Sequence, residues 1–375
     1  MAKRRQFGSV RKLPSGRFQA RYVDSSGLQQ SADRTFETKR HAADYLASVQ
    51  ADLARGEWRD PRLARLTFAE WSERYLSTGI HKKASTRAQD RHVLRKHLLP
   101  AFGALPMGAI TPDHVRNFIV ALDAQGLAPS TIRSIATKLR AILNSAVESD
   151  VISRSPFRGV RLPTNRQPTI RIVEPHELER LAQAVTGDYY AMVYLAGVCG
   201  LRFGEVAGLR LGRIDFLQKR LSIEETRSQI GGFSTPKTKA SRRTIPLPAV
   251  VVEILASHVA SKGLKAQDAE ALVFTSPRGG PLQAANWHKR TWAPAIEATG
   301  LQGLTFHSLR HSAAATMIQL GAHPKVIQDR LGHEDVRTTL DTYGHVFEQV
   351  DTELNGFLDS HFRTGASPKS SVRAI

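Results

Sequence analysis

The sequence predicts a mainly helical α+β protein that carries small β-sheets. Over long stretches apolar residues recur three and four positions apart, which is typical of amphipathic helices. Short runs such as Phe18–Val23 alternate between apolar and polar residues and are flanked by Pro, Ser and Gly, which indicates strands between turns. The 375 residues and the 41% hydrophobic content are sufficient for two or three domains with ordinary cores.

Residues 1–64 are predicted to form a small β-sheet followed by a helix. Strands are expected at Phe18–Val23 and near residues 29–36, and Thr38 is a good N-cap for the helix that follows. No acidic residue precedes Asp24, so this region is either a solvated extension or a basic binding surface. The basic residues before Asp24 are Lys3, Arg4, Arg5, Arg11, Lys12, Arg17 and Arg21.

Residues 65–160 are predicted to form a compact bundle of four helices. Thr67 and Glu70 fit a capping box, and Pro112 and Pro129 fit the first turn of later helices. A basic stripe on one helix is usually a solvated face, but two such stripes in one basic bundle favour contact with phosphates. The arginines at helical spacing are Arg87, Arg91, Arg95, Arg133 and Arg140.

Residues 161–375 are predicted to form a third, mostly helical domain with a short sheet. Residues 150–168 are rich in Pro, Gly and Ser and lack periodicity, which favours a linker. A buried helix is expected at residues 189–200, strands at 221–224 and 243–247, and a helix at 287–299. Gly200 and Gly332 lie where helices should end, since glycine turns there without a Cβ penalty.

The charge of the chain favours a polyanionic partner. The formal net charge is +19, and it is divided as +6 in residues 1–64, +7 in 65–160 and +6 in 161–375. A membrane-surface protein would concentrate its charge in one patch, whereas a protein that wraps a long polyanion needs it in every domain. Nucleic acid is therefore the first expectation, and an anionic membrane surface is the second.

Several classes of protein are disfavoured. The single cysteine, Cys199, cannot form an intramolecular disulfide or a Cys-rich metal site, and its apolar surroundings predict a buried structural thiol. No secretory signal is expected, and the longest apolar run, residues 191–200, is about half of what a membrane span needs. A reducing cytoplasm is the expected compartment. No phosphate-binding glycine loop of the ATPase type occurs, and no cofactor is expected.

The stretch from Thr305 to Tyr343 contains residues that phosphodiester chemistry can use. Breaking and rejoining such a bond requires a nucleophile that becomes covalently attached, cations for the charged transition state, and an acid for the leaving oxygen. Tyr343 offers a phenol, and the guanidinium groups of Arg202 and Arg310 offer forked hydrogen bonds to phosphate. His307 lies three residues before Arg310, so both leave one face of a helix.

Four motifs in this order resemble those of the tyrosine recombinases of the phage integrase family. The motifs are Gly-Leu-Arg-Phe-Gly-Glu at 200–205, His-Ser-Leu-Arg-His at 307–311, Leu-Gly-His at 331–333, and Tyr343. The resemblance implies a mixed α/β catalytic domain at 161–375, a helical core-binding domain at 65–160 and an arm-type DNA-binding domain at 1–64. It also implies a site-specific recombinase that integrates or excises a prophage or other mobile element.

The same resemblance implies a role for each site residue. Tyr343 would form a 3′-phosphotyrosyl link, Arg202 and Arg310 would hold the phosphate, and His307 and His333 would assist. Lys237 would protonate the leaving 5′ hydroxyl, with Lys239 as the alternative, because hairpin length does not fix which lysine points inward. His311 and His345 are expected to be ordinary polar residues. His307 and His311 resemble half a zinc site, but Ser308 replaces the expected Glu, so no metal is predicted.

The implied partners are double-stranded DNA with core and arm-type sites, and three further subunits that complete a tetramer on that DNA. A C-terminal stripe of apolar residues, Val350, Leu354, Phe357 and Leu358, would either pack on the chain's own core or dock on a neighbouring subunit. A directionality factor and a host DNA-bending protein are further possible partners. Two alternatives remain at this stage, a chromosome-dimer-resolving recombinase of the same family and a non-catalytic DNA-binding architectural protein.

Overall fold

The computed structural model describes residues 7–56, 58–164, 171–185, 188–228, 232–234 and 239–337, together with 340, 343, 355–356 and 358–363. The chain divides into two compact units, Met1–Arg166 and Gln167–Ile375. The division falls inside the segment 150–168 that the sequence predicts to be a linker. Three of the four residues in the C-terminal apolar stripe lie outside the described residues, and the fourth, Leu358, is exposed.

The first unit begins with a three-stranded antiparallel sheet and one helix. The elements are β1 (Ser9–Lys12), β2 (Phe18–Val23), β3 (Gln29–Ser31) and α1 (Lys39–Ala54), with strand order β1-β2-β3. The Thr38 hydroxyl accepts a hydrogen bond from the His41 amide, so the predicted N-cap of α1 is confirmed. β3 is shorter than predicted, because Phe36 returns to the sheet only through a single bridge to Phe18.

A helical bundle completes the first unit. Thr67 and Glu70 form the predicted capping box at the start of α2 (Phe68–Ser77), and Thr111 caps α5 (Pro112–Ala124). A π-helical segment, Leu94–Leu98, joins α3 (Ala84–Val93) to α4 (Leu99–Phe102), so the chain is helical from Ala84 to Phe102. The helices are α2 (Phe68–Ser77), α3 (Ala84–Val93), α4 (Leu99–Phe102), α5 (Pro112–Ala124) and α6 (Pro129–Glu148).

The first part of the predicted linker belongs to the core of this bundle. Val151, Ile152, Phe157 and Val160 are buried together with the apolar face of α6. Apolar burial is the main source of stability for such a unit, so four anchored side chains tie this segment to the helices. The Pro and Gly residues of the segment correctly indicate that it is not helical. They do not reveal that its apolar side chains pack in the core of the bundle.

The second unit consists of helices around two small antiparallel sheets, one with strand order β4-β5-β8 and one formed by β6 and β7. The strands are β4 (Ile214–Asp215), β5 (Arg220–Ile223), β6 (Thr226–Ser228), β7 (Gly232–Ser234) and β8 (Arg243–Pro246). The helices are α7 (Pro175–Ala184), α8 (Tyr190–Gly197), α9 (Phe203–Ala207), α10 (Ala249–Ser261), α11 (Ala284–Trp287), α12 (Ala293–Thr299), α13 (Phe306–Gln319) and α14 (Pro324–Leu331).

The core of the second unit forms around α8 and α13. Helix α8 is apolar on nearly all sides, which predicts full burial, and Met192, Val193 and Leu195 are completely buried. The predicted helix at 287–299 is present and starts earlier, because a π-helical segment, His288–Trp292, joins α11 to α12. Within the described part of the chain no helix has both the length and the apolar character that a bilayer crossing demands.

Two glycines with left-handed backbones bring the ends of α8 and α14 together. Gly200 has φ of +73° and Gly332 has φ of +67°, as the sequence predicts for glycines at helix ends. A Cβ at Gly200 would lie 2.4 Å from the Leu331 side chain, so this close approach also requires glycine. The carbonyl groups at both turns are thereby placed beside helix α13.

Candidate active site

Arg310 is the centre of the candidate site. It lies in α13, which begins after Thr305, whose hydroxyl accepts a hydrogen bond from the Ser308 amide. Its side chain donates from Nη1 to the Gly200 carbonyl and from Nη2 to the Leu331 carbonyl, both at 2.6 Å. Arg310 is 1% exposed. The guanidinium group therefore connects the two glycine turns from inside the protein.

A buried carboxylate holds two further arginines beside Arg310. Glu205 accepts from Arg202 Nη1 at 2.9 Å, and both terminal nitrogens of Arg243 donate to its two oxygens at 3.1 Å. Arg202 also donates its backbone amide to Glu205, because the two residues form a capping box at the start of α9. Arg243 Nε donates to the Arg330 carbonyl at 2.7 Å. The Glu205 carboxylate thus accepts hydrogen bonds from the guanidinium groups of both Arg202 and Arg243.

The electrostatics of this cluster leave an excess of positive charge. Burial alone would raise the pKa of Glu205, but Arg243 and Arg202 outweigh it and the net shift is downward. Burial and the charge of Arg202 lower the pKa of Arg310 to about 9, which leaves the guanidinium protonated at neutral pH. Three cationic side chains face one anionic side chain, which favours binding of an added anion such as phosphate.

Tyr343 lies beside this cluster and is 1% exposed. Its ring packs in an apolar cluster with Ala314, Ile318 and Leu331. Burial raises the pKa of its phenol to about 12, while the charges of Arg310 and Arg202 act in the opposite direction. The phenol is therefore protonated at neutral pH and close enough to both arginines to be affected by their charge.

His311 makes the hydrogen bond to the Tyr343 hydroxyl. The distance from His311 Nδ1 to Tyr343 Oη is 2.7 Å, and the two ring centroids are 5.7 Å apart. Burial and the charge of Arg310 lower the pKa of His311, so its imidazole is neutral at neutral pH. Since a protonated phenol donates, Nδ1 is the acceptor and the proton of the ring is on Nε2. The sequence predicts that His311 is an ordinary polar residue and does not predict its hydrogen bond to Tyr343.

The two predicted histidines are both affected by the charges of this cluster. His307 is exposed as a residue, but one side of its ring is covered by the ring of His311, which it meets edge to face with centroids 4.8 Å apart. His333 is half-buried after the Gly332 turn. Desolvation, together with the positive charge of Arg310 and Arg202, lowers the pKa of both His307 and His333 to about 4. Both imidazoles are therefore neutral and able to accept or donate one hydrogen bond from each nitrogen.

The structure thus brings five of the six predicted catalytic residues into one region. Arg202, His307, Arg310, His333 and Tyr343 belong to one electrostatic cluster. The sixth, Lys237, lies outside the described residues. Lys239 begins a short 3₁₀ helix, Lys239–Ser241, that precedes strand β8. No group of three or more potential metal-binding side chains is found among the residues that the structure describes.

The basic residues predicted to contact DNA in the N-terminal sheet do not all share one face. Arg11 pairs with Gln19 and Arg21 pairs with Ser9, which places both arginines on the face opposite Ala20 and Tyr22. Lys12 pairs with Phe18 and points to the other face at the edge of the sheet. The Arg17 side chain donates one hydrogen bond to the Thr35 hydroxyl at 2.7 Å and another to the Thr35 carbonyl at 2.9 Å.

The predicted arginine stripes of the bundle are partly used for local contacts. Arg91 and Arg95 are exposed, and Arg87 is half-buried. Arg95 belongs to the π-helical segment Leu94–Leu98, so the regular spacing of the stripe changes there. Arg133 donates to the Pro163 carbonyl at 3.1 Å, and the Arg140 guanidinium lies 4.4 Å from the centroid of the Phe157 ring. Both remain exposed.

Three residues of the cluster have no assigned role in the sequence-based prediction. Glu205 could have been found from its position three residues after Arg202, since a capping box places that carboxylate against the arginine backbone. Arg243 has no local signal, because its partners Glu205 and Arg330 are distant in the chain. His311 lies one helical turn after His307, and only the position of Tyr343 gives it a distinct role.

Comparison with known proteins assigns the whole chain to one family. The Phage integrase family model matches residues 171–349, the phage integrase N-terminal domain matches 6–55, and the phage integrase N-terminal SAM-like domain matches 67–122. The prophage phiRv2 integrase of Mycobacterium tuberculosis is 31% identical over 368 residues, which cover 95% of this chain and 96% of that protein. The integrase of Mycobacterium phage D29 is 29% identical over 90% of this chain and 93% of its own length.

Solved structures support the same assignment at the level of the fold. The Tn1549 transposon integrase in complex with transposon right end DNA matches with a TM-score of 0.66 and 19% identity, covering 77% of this chain and 99% of that one. A lambda integrase dimer bound to a COC′ core site matches with a TM-score of 0.59 and 18% identity, covering 91% and 96%. The chain therefore belongs to the phage integrase family and is a site-specific integrase of the tyrosine recombinase type.

Proposed function

We propose that Tyr343 is the nucleophile with which this integrase cleaves and rejoins DNA strands. Its phenol oxygen attacks the scissile phosphate and forms a 3′-phosphotyrosyl link, and the 5′ oxygen leaves. The single observation that carries this proposal is the position of Tyr343, which is buried in one cluster with Leu331, the residue whose carbonyl group binds Arg310. A phenol beside two guanidinium groups can reach a phosphate that those groups bind.

Arg202 and Arg310 are the proposed ligands of the nonbridging phosphate oxygens. Arg310 already uses two of its five N–H donors on the Gly200 and Leu331 carbonyls, and these two hydrogen bonds fix the orientation of the guanidinium plane. Arg202 is held by Glu205, and its side chain is about one third exposed, so part of its guanidinium group is accessible to a phosphate. Fixed donors need no reorganisation when negative charge develops in the transition state.

Lys237 is the proposed acid for the leaving 5′ oxygen, and Lys239 is the alternative. A lysine can change its pKa readily in a partly desolvated and positively charged site, which suits proton donation near neutral pH. His307 and His333 are neutral and complete the set of donors around the phosphate. The order Arg202, Lys237, His307, Arg310, His333 and Tyr343 supports the assignment as one set.

Double-stranded DNA is the proposed partner, and each domain contributes to its binding. The domain limits we propose are 1–64 for arm-type sites, 65–160 for the core site and 161–375 for catalysis. The lambda integrase dimer bound to a core site and the Tn1549 integrase in complex with transposon DNA support this partner. Arg11 on the open sheet face, and Arg91 and Arg95 on the bundle, supply exposed positive charge, and Arg21 lies half-buried on the same sheet face as Arg11.

The proposed reaction integrates or excises a prophage or other mobile element in the cytoplasm of a bacterial cell. Four copies of the chain would act on two DNA duplexes, with a directionality factor and a host DNA-bending protein as further partners. The relatives that the chain matches over at least nine tenths of its length include the prophage phiRv2 integrase and the ICEBs1 integrase of Bacillus subtilis. A chromosome-dimer-resolving enzyme or a purely architectural protein is not favoured by these relatives.

The nucleophile can be tested with a nicked DNA substrate that carries the attachment site next to the gene. Attack near the nick releases a short strand, so the covalent adduct accumulates and can be measured on a denaturing gel. We expect an adduct that peptide mapping assigns to Tyr343, and no adduct with Tyr343→Phe. The control is Tyr189→Phe, because Tyr189 is also buried and its hydroxyl also makes one hydrogen bond, to the Thr275 carbonyl.

The two variants separate chemistry from folding. Each loses one buried hydroxyl, so each should lose a similar, small amount of stability, on the order of 1 kcal/mol. Binding to DNA, measured by gel shift, should be retained in both. An adduct of undiminished yield with Tyr343→Phe, or an adduct mapped to another residue, contradicts the assignment of the nucleophile.

A further inference from the structure

We infer that His311 is a catalytic residue that takes the phenolic proton of Tyr343 as this tyrosine attacks the scissile phosphate. This inference rests on the proposed role of Tyr343 as the nucleophile. It is carried by the 2.7 Å hydrogen bond between His311 Nδ1 and Tyr343 Oη, the oxygen that attacks. A general base must lie within hydrogen-bonding distance of the proton that it removes.

The phenol of Tyr343 and the imidazole of His311 are in the protonation states that this proton transfer requires. Burial raises the pKa of the Tyr343 phenol, so the phenol carries its proton. Burial and Arg310 lower the pKa of His311, so its imidazole is neutral and offers Nδ1 as an acceptor. A tyrosine with so high a pKa does not lose its proton before the attack, and removal during bond formation avoids the free phenolate.

The surrounding charges connect proton transfer to the presence of substrate. His307 and Arg310 precede His311 on α13, and Tyr343 contacts it from the C-terminal part of the chain. A charge on His311 would also lower the pKa of His333. An imidazolium would add a further positive charge to a cluster that already has an excess of arginine. A bound phosphate diester brings a negative charge, which offsets that repulsion and stabilises the imidazolium.

The step is balanced without any additional reactant. The bond from Tyr343 Oη to phosphorus forms, and the bond from phosphorus to the 5′ oxygen breaks. The phenolic proton moves to His311 Nδ1, and the 5′ oxygen receives a proton from the separate acid proposed above. In rejoining, the 5′ hydroxyl attacks the phosphotyrosine and gives its proton back to the deprotonated acid, and His311 returns its own proton to the tyrosine oxygen as that oxygen leaves.

A purely positional role for His311 predicts a different pattern of variants. Asparagine places its carbonyl oxygen close to where Nδ1 of a histidine lies, so His311→Asn keeps an acceptor for the Tyr343 hydroxyl but cannot take up its proton. His311→Ala removes both functions. If His311 only positions the phenol, His311→Asn stays close to the wild type; if it is the base, both variants are slow.

The experiment measures the single-turnover rate of adduct formation on the nicked substrate with the full-length protein. We expect His311→Asn and His311→Ala to slow cleavage by roughly 10²–10⁴-fold, with DNA binding and thermal unfolding close to the wild type. Added imidazole should restore part of the rate to His311→Ala. The matched control is His323→Asn, since His323 is exposed and caps α14, a role that asparagine also fills.

Two further measurements distinguish a base from an acid. A substrate with sulfur in place of the 5′ oxygen has a better leaving group and needs no acid, so it should not rescue the His311 variants. The rate of His311→Asn should also rise about tenfold per pH unit from neutral pH up to the Arg310 pKa of about 9, because only phenolate then attacks and the phenol pKa lies higher still.

The outcomes separate this inference from the proposed nucleophile. If Tyr343→Phe is inactive and His311→Asn cleaves at the wild-type rate, the nucleophile stands and the role of His311 as a base is overturned. If either His311 variant is faster than the wild type, the contact restrains Tyr343 and the inference is also overturned. If Tyr343→Phe still forms the adduct, the proposed nucleophile itself fails.

Discussion

Arginine is used in opposite ways in the two compact units. In the first unit Arg91 and Arg95 are exposed on the helical bundle, where water screens their charge. In the second unit the side chains of Arg243 and Arg310 are almost completely buried and donate to carbonyl groups or to Glu205. Burial of a charge costs several kcal/mol unless its donors are satisfied, so the buried arginines demand fixed partners.

This difference predicts how each unit responds to substitution. A buried charge network is strongly coupled, and removal of one member leaves the others without compensation inside the protein. Exposed arginines act independently, and each contributes to the attraction of a polyanion without supporting the fold. Substitution of a member of the buried cluster should therefore change stability and catalysis together, whereas substitution of Arg91 or Arg95 should change DNA affinity with little change in stability.

The largest effect is expected for Glu205→Gln. The amide keeps the shape of the side chain but loses the charge that compensates Arg202 and Arg243, and its NH₂ group opposes their donors. We expect a loss of roughly 3–5 kcal/mol in the free energy of unfolding, measured by urea denaturation, together with loss of strand cleavage. The control is Glu225→Gln, because Glu225 pairs with Arg210 at a half-buried position nearer to solvent and should change stability by less than about 1 kcal/mol.

A smaller loss for Glu205→Gln, below about 1 kcal/mol, would mean that the cluster tolerates unpaired guanidinium groups. The contrast between buried and exposed arginine would then not extend to stability. Loss of cleavage without loss of stability would indicate instead that Glu205 serves mainly to orient Arg202 toward the phosphate.

The next effect is expected for Gly200→Ala, which tests the turn that receives Arg310. The left-handed backbone costs alanine roughly 1–2 kcal/mol, and the added Cβ would also collide with the fully buried Leu331 side chain at 2.4 Å. Gly300→Ala is the matched control, since Gly300 has φ of +71° and open space around it. Gly200→Ala should be the more destabilising by about 1–3 kcal/mol, the usual cost of overpacking, and equal losses would contradict the close approach.

These features differ in how far the sequence predicts them. Helix starts at Thr38, Thr67 and Thr111 depend on neighbouring residues, and all three caps are present. The glycines at 200 and 332 also act locally, through their own backbone conformation. Such signals can be read from short stretches of sequence because the interacting atoms are separated by only three or four residues.

Contacts between distant residues could not be predicted in this way. Tyr343 lies 32 residues after His311, and Arg243 lies 38 residues after Glu205 and 87 before Arg330. The motifs indicate that these residues are present, but only the packing of α13 and α14 decides which side chain the phenol meets. The same limit applies to residues 151–160, whose apolar side chains complete a core formed by helices elsewhere in the unit.

The smallest change in stability is expected for Arg91→Gln, which tests the role of an exposed arginine in the first unit. Arg91 is exposed on α3, so its loss should change the free energy of unfolding by less than about 0.5 kcal/mol. If its charge neutralises a DNA phosphate, the slope of log affinity against log salt should become shallower by about 0.9. The slope is measured by gel shift or fluorescence anisotropy over a range of salt concentrations.

Arg116→Gln is the control for net charge, because it removes one positive charge from the same unit. Arg116 is exposed on α5, where it pairs with Asp113 at 2.5 Å, so its charge is already compensated locally. A change of slope in Arg91→Gln alone would show that position on the bundle matters and that arginine contacts phosphate there. Equal changes in the two variants would mean that only total charge attracts DNA, and the bundle would then hold the duplex through other residues.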